Sequence, residues 1–168
     1  MKRFYRPVII GLSGLIIVML GFSLILPSRV MTSKWVQVAQ DKDSVIRVIS
    51  DLNTWKEWNG LLSGAENAEV RDSLLVWRTP NGNENTIKLE SVQSNGVSTP
   101  ISLNRGSYIR SGFSVEKRTA DSVQVVWFII EELKWYPWEK FYGMMAADMK
   151  GPLMQQSLDD LKVYLSRR

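Results

Sequence analysis

The chain is 168 residues long, room for one domain with its own core, and it carries 21 Lys and Arg against 17 Asp and Glu. The whole cationic excess is Lys2, Arg3, Arg6 and Arg29; the rest of the chain is balanced, so no phosphate-binding face is indicated and nucleic acid is not an expected partner. There is no Cys and no His, which excludes disulfides, thiol nucleophiles, imidazole bases and Cys- or His-ligated zinc, and leaves carboxylates, Lys, Tyr or Arg for any chemistry; no metal and no cofactor is expected.

Residues 8–26, VIIGLSGLIIVMLGFSLIL, form a 19-residue stretch without a charge. As a helix it would span roughly 28 Å, about the thickness of a bilayer's hydrocarbon core. A cleavable leader usually has a shorter apolar region and a small-residue cleavage site, whereas Pro27, Ser28 and Arg29 follow here, so a retained anchor is the expectation. Lys2, Arg3 and Arg6 precede it, which favours a cytoplasmic N-terminus, a single pass through the cell membrane and a domain on the extracytoplasmic, periplasmic side. Residues 1–32 are accordingly read as tip, anchor and tether, and 33–168 as the folded domain.

KWVQVAQ from Lys34 alternates and suits a first strand. Val45, Ile46, Val48, Ile49 and Leu52 then recur at helical spacing behind Asp43, an N-cap type, predicting a helix from about Ser44 to Asp51. Asn53 can cap a second short helix holding Trp55, Trp58, Leu61 and Leu62. From there the period becomes two: strands are predicted at 73–79 and 86–93 around a turn containing Asn81-Gly82, with less clear strands over 101–119, where Gly106 and Gly112 suggest bends. Residues 122–133, SVQVVWFIIEEL, are the strongest strand candidate, broken by Trp135, Tyr136, Pro137 and Trp138. From Gly151 a last helix is predicted, with Pro152 in its first turn and Met154, Leu158, Leu161 and Leu165 as one stripe. A run of antiparallel strands with one long helix to cover its apolar face is an α+β helix-grip arrangement, a curved antiparallel sheet around a long C-terminal helix, here preceded by one transmembrane helix.

Three stretches carry a family likeness: VISDLNTWKEWNG at 48–60, WYPWEKFYGMMAADMKGPL at 135–153, and SLDDLKVYL at 157–165. Together they resemble the START-like superfamily, also called SRPBCC or polyketide cyclase/dehydrase-like, in its small bacterial membrane-anchored form. The resemblance implies a mostly apolar cavity between sheet and C-terminal helix that takes a small hydrophobic or lipid-like ligand. It implies three readings: a non-catalytic binding module, a carboxylate-dependent cyclase-like enzyme, or an envelope protein-interaction module with a vestigial cavity.

The cavity candidates divide by element. Trp58 stands at a potential cavity mouth, although its spacing from Trp55 equally suits packing of the short helix on the sheet. Trp77, Ile87, Leu89, Trp127 and Ile129 belong to strands, where the residues that line a pocket are of the same kind as those that fill a core. Met145, Met149, Met154 and Leu158 belong to the last segment, where methionine suits either an adaptable pocket or a gap in packing. Trp135, Tyr136, Trp138, Phe141 and Tyr142 beside Lys134 and Lys140 fit either a membrane interface or a packed corner. Glu131 and Glu132 must face opposite sides of their strand, one of them as a candidate acid or base or as half of an ion pair.

Overall fold

The computed structural model describes residues 2–104, 106, 108–119 and 121–167, with all their side chains except those of residues 2–8, 22, 66 and 147. Helix α1 (Lys2–Ile25) leads directly into strand β1 (Arg29–Val38). Helix α2 (Lys42–Ser50) follows, then two 3-10 turns, Leu52–Glu57 and Gly60–Leu62. Strands β2 (Glu66–Arg71), β3 (Leu74–Arg78), β4 (Glu84–Lys88), β5 (Ser91–Gln93), β6 (Gly96–Ser98), β7 (Ile101–Ser102), β8 (Arg110–Thr119) and β9 (Ser122–Glu132) precede the long helix α3 (Pro137–Ser166).

All pairings are antiparallel, in two ladders: β1-β9-β8-β6-β5 and β2-β3-β4-β7. Backbone bonds from Lys88 to Pro100 and from Glu90 to Ser98 carry β4 into β5 alongside β6 and β7, and Ile101 bridges Ile109 beyond the start of β8. The ladders are therefore one sheet bent at Leu89–Glu90 and Thr99–Pro100. Close approach at the bend needs glycine: a Cβ on Gly96 would lie 2.4 Å from the Phe113 carbonyl oxygen, and one on Gly112 would lie 2.7 Å from that of Val97.

The second half of α3 crosses the concave face with Met154, Leu158, Leu161 and Leu165 buried against β1 and β9. Opposite them, Val36, Val38, Val123, Val125 and Trp127 supply the sheet's inward positions. This is the helix-grip arrangement that the element order predicts.

Several local expectations shift. Asp41, not Asp43, caps α2, its carboxylate accepting from the Ser44 N–H at 2.8 Å. Asp51, not Asn53, caps the first 3-10 turn, and Asn59 caps the second. The strand read at 86–93 is two, split at the bend. The stretch read as tether is largely strand, because β1 begins at Arg29 and pairs with β9 from Glu132 onward. Helix α3 starts fourteen residues before Gly151, since Pro137 takes the first-turn place for which Pro152 was a candidate. Pro152 then sits inside the helix, where it has no N–H to donate.

Among the described residues no helix is long and apolar enough to cross a membrane. The expected span at 8–26 includes Val8 and Phe22, whose side chains lie outside the described residues. The described apolar side chains of α1 from Ile9 to Leu20 are exposed.

Candidate functional site

The tryptophans at the corner between sheet and 3-10 turns are core. Trp55 and Trp58 meet at 5.1 Å between ring centroids, both pack edge-on against Phe113, and Phe113 stacks on Trp127 at 5.2 Å. Each indole N–H has a buried acceptor: Ile49 carbonyl for Trp55, Thr54 hydroxyl for Trp58, Ser111 hydroxyl for Trp127. Such pairs add about 0.5–1.5 kcal/mol each beyond area burial, so these rings hold the corner closed. These rings and the α3 stripe of Met154, Leu158, Leu161 and Leu165 belong to one buried hydrophobic cluster. Of the cavity candidates, Trp58, Ile87, Trp127, Ile129, Met154 and Leu158 lie in this core, with Leu89 packed at its edge. Trp77, also buried, borders a separate cleft of about 300 Å³ whose lining of Asn67, Glu69, Arg71, Arg78 and Glu84 is polar. Met145 and Met149 point the other way, 68% and 78% exposed on the outer face of α3, and so line no cavity between helix and sheet.

Space opens instead at the other end of the grip. A cleft of about 430 Å³ lies between the ends of β8 and β9 and the first half of α3. Ile109, Ile130 and Leu133 give it apolar walls; Tyr108, Arg110, Glu131, Glu132, Glu139 and Tyr142 give it polar ones. Gly143 and Ala146 keep the helix side low, and a Cβ on Gly143 would fall 2.4 Å from a Leu133 methyl. Strand alternation separates the glutamates as the sequence requires. Glu131 points inward, its side chain 18% exposed, and accepts from Lys150 Nζ at 2.5 Å. Glu132 points outward and pairs with Arg29 at 3.5 Å and with Arg110.

The adjoining end of α1 is bolted to the domain. Lys140, buried on the inward face of α3, donates to the Ser23 carbonyl at 2.5 Å and the Leu26 carbonyl at 2.8 Å, supplying the cation that α1 lacks in its own last turn. Ser23 Oγ donates to the Trp135 carbonyl, and the Leu133 N–H donates to the Ser28 carbonyl at 2.8 Å. Beside them Trp138 stacks on Tyr136 and Trp135 meets Tyr136 edge-on, with Lys134 Nζ 5.8 Å from the Tyr136 ring. The neighbouring Tyr136 hydroxyl, helped by Glu139, holds the Lys134 amine above its usual pKa.

Leu133, Gly143 and Ala146 are not legible as cleft residues because the segment after β9 reads as a break, not as the opening of a helix, and Tyr108 and Ile109 are not because the strands over 101–119 are less clear. The signal that could have found them is the helical recurrence of Trp138, Phe141, Tyr142, Met145 and Met149, which leaves Gly143 and Ala146 off the aromatic face.

No protein-family model matches the chain, and no curated protein is similar to it in sequence. Solved structures are similar in fold. A START superfamily protein from Mycobacterium smegmatis superposes at TM-score 0.58 with 18% identity, over 82% of this chain and 97% of that one. Norcoclaurine synthase from Thalictrum flavum, in complex with dopamine and hydroxybenzaldehyde, gives 0.60 and 17% over 88% and 92%. The Zhui aromatase/cyclase from Streptomyces sp. R1128 gives 0.55 and 15% over 83% and 95%. The domain therefore has the START-like, SRPBCC helix-grip fold.

Proposed function

We propose that this protein is a membrane-tethered START-like module that binds a small hydrophobic or lipid-like ligand, without transforming it, in the cleft between β8–β9 and the first half of α3. The observation that carries the reading is that cleft: its volume of about 430 Å³ falls within the range of small-molecule sites, and it joins an aliphatic wall to a few polar groups. The similar structures named for norcoclaurine synthase and for an aromatase/cyclase support a small organic ligand. Ion pairing of Glu131 with Lys150, and of Glu132 with Arg29 and Arg110, supports binding over acid-base chemistry, since each carboxylate already has its cation. Tethering through α1 is supported by the uncharged stretch at 8–26, by the exposed apolar side chains along that helix and by the cationic N-terminal tip. The extracytoplasmic side follows from the same charge bias.

The test is titration of the full chain in lipid nanodiscs with a fluorescent fatty-acid analogue, before and after Ala146→Trp, which fills the cleft from its helix side. Binding to the wild type that weakens about tenfold or more in the variant, a loss of roughly 1.4 kcal/mol, is the expected result with circular dichroism unchanged. Equal affinity in both would remove the cleft as the site. Turnover of a supplied aromatic or lipid substrate, lost in Glu131→Gln, would replace binding by catalysis.

A further inference from the structure

The two halves of α3 are amphipathic in opposite senses. In the second half the apolar stripe of Met154, Leu158, Leu161 and Leu165 is buried against the sheet. In the first half, Trp138, Phe141, Tyr142, Met145 and Met149 recur at spacings of three, one, three and four, and all five are exposed. At about 100° per residue they share one face, and Met154 lies about 160° around the helix from Trp138. Among the described residues, the buried positions of the first half are Pro137, Lys140, Gly143 and Gly151. In the sheet beneath, each inward pair of β1 and β9 sets one polar residue beside one apolar one, Glu131 with Val30, Thr32 with Ile129 and Lys34 with Trp127, whereas the pairs under the second half are all valine; Gly151 rests on the Lys34 side chain. Exposed apolar patches of this extent mark a binding surface.

Three observations identify what covers it. The patch begins where α1 ends, because Ser23 bonds to Trp135 and Lys140 bonds to Ser23 and Leu26. Its base is made of Trp135, Tyr136 and Trp138 beside Lys134, the residue types that settle at the headgroup level of a bilayer. The helix beyond it presents one apolar face roughly 16 Å long, the form of a helix lying in the plane of a membrane surface. We infer that the outer face of the first half of α3, together with Trp135, lies in the headgroup layer of the same bilayer that α1 enters, so that the domain is held to the membrane at a second place and the cleft opens beside it. This inference rests on the tethered reading of α1.

The chain has no cysteine, so single nitroxide labels can be placed without background. Phe141→Cys and Met145→Cys report on the face, Val18→Cys on α1 and Asp159→Cys on the solvent side of the second half, all at exposed positions whose replacement spares the core. The full chain is reconstituted in phosphatidylcholine/phosphatidylglycerol vesicles, and relaxation by oxygen is compared with relaxation by a water-soluble nickel chelate. The expected result is that labels at 18, 141 and 145 shift from nickel-accessible to oxygen-accessible on reconstitution, the last two to a depth of about 5–10 Å at the headgroup and acyl boundary, while 159 stays nickel-accessible. A lipid-exposed label at 18 with a nickel-accessible one at 145 would overturn the inference and leave the anchor standing. A nickel-accessible label at 18 would remove anchor and inference together. A label at 145 shielded from both reagents would place a protein partner on the face and overturn it as well.

Discussion

Thr99 is fully buried at the bend of the sheet, and its hydroxyl has no hydrogen-bond partner among the described residues. An unpaired buried hydroxyl costs more than the apolar group of the same shape that could replace it, so Thr99→Val is expected to raise stability by about 1 kcal/mol, read from chemical denaturation. Asp41 behaves in the opposite way, because its carboxylate has a use. The Ser44 N–H, with the Ser44 side chain assisting, lowers its pKa from the ordinary 3.8. A depressed carboxylate contributes stability that is present above the unfolded pKa and lost as pH falls through the folded one. Acid titration of the melting temperature should therefore show a decline below about pH 4 that is shallower in Asp41→Asn, which keeps an N-cap but cannot titrate. The tryptophans show what single residues conceal. The three-residue spacing of Trp55 and Trp58 made a shared buried face legible, yet no letter distinguishes a ring that walls a pocket from one that plugs it. That choice is made by Phe113 and Trp127, which arrive from strands more than 50 residues later.

At the level of elements, strands β3, β4 and β9 and the second half of α3 were legible from period two and period 3.6. The first half of α3 was not, because its apolar face points away from the core and its first residues, Pro137 and Trp138 after Trp135 and Tyr136, read as a strand ending in a corner. Pro152 reinforced the misreading by offering a second plausible start. Inside a helix, however, proline costs up to about 3 kcal/mol relative to alanine, so Pro152→Ala, at an exposed position, is expected to raise the thermal midpoint. A fall would mean that the break at Gly151-Pro152 is what lets the two halves face opposite ways. Lys140 is the point at which this element is fixed to α1. Lys140→Met leaves the Ser23 and Leu26 carbonyls without their charged donor, a loss of about 1.5–3 kcal/mol in that joint, and hydrogen exchange should rise in the segment around residues 23–28 while the α2 amides stay protected.

For the molecule as a whole, the sheet begins earlier in the chain than charge and composition indicate. Arg29 to Ser33 looked like linker because Arg, Thr and Ser interrupt the alternation, but they pair residue by residue with Glu132 to Phe128. A chain cut to 27–168 should give a cooperative thermal melt in mild detergent. One cut to 34–168 loses half of the β1–β9 ladder, together with the Ser28 carbonyl that holds Leu133, and should melt at a much lower temperature or without cooperativity.

Because only Leu26, Pro27 and Ser28 separate α1 from β1, and Lys140 pins the last carbonyls of α1, the folded part has no leash. It cannot swing out to sample the surrounding water as a ball on a string would. On the tethered reading, α1 and the grip turn as one body, so the catchment of the cleft is a shallow disc at the surface of its own leaflet. What reaches it must diffuse there laterally or be handed over by something standing beside it.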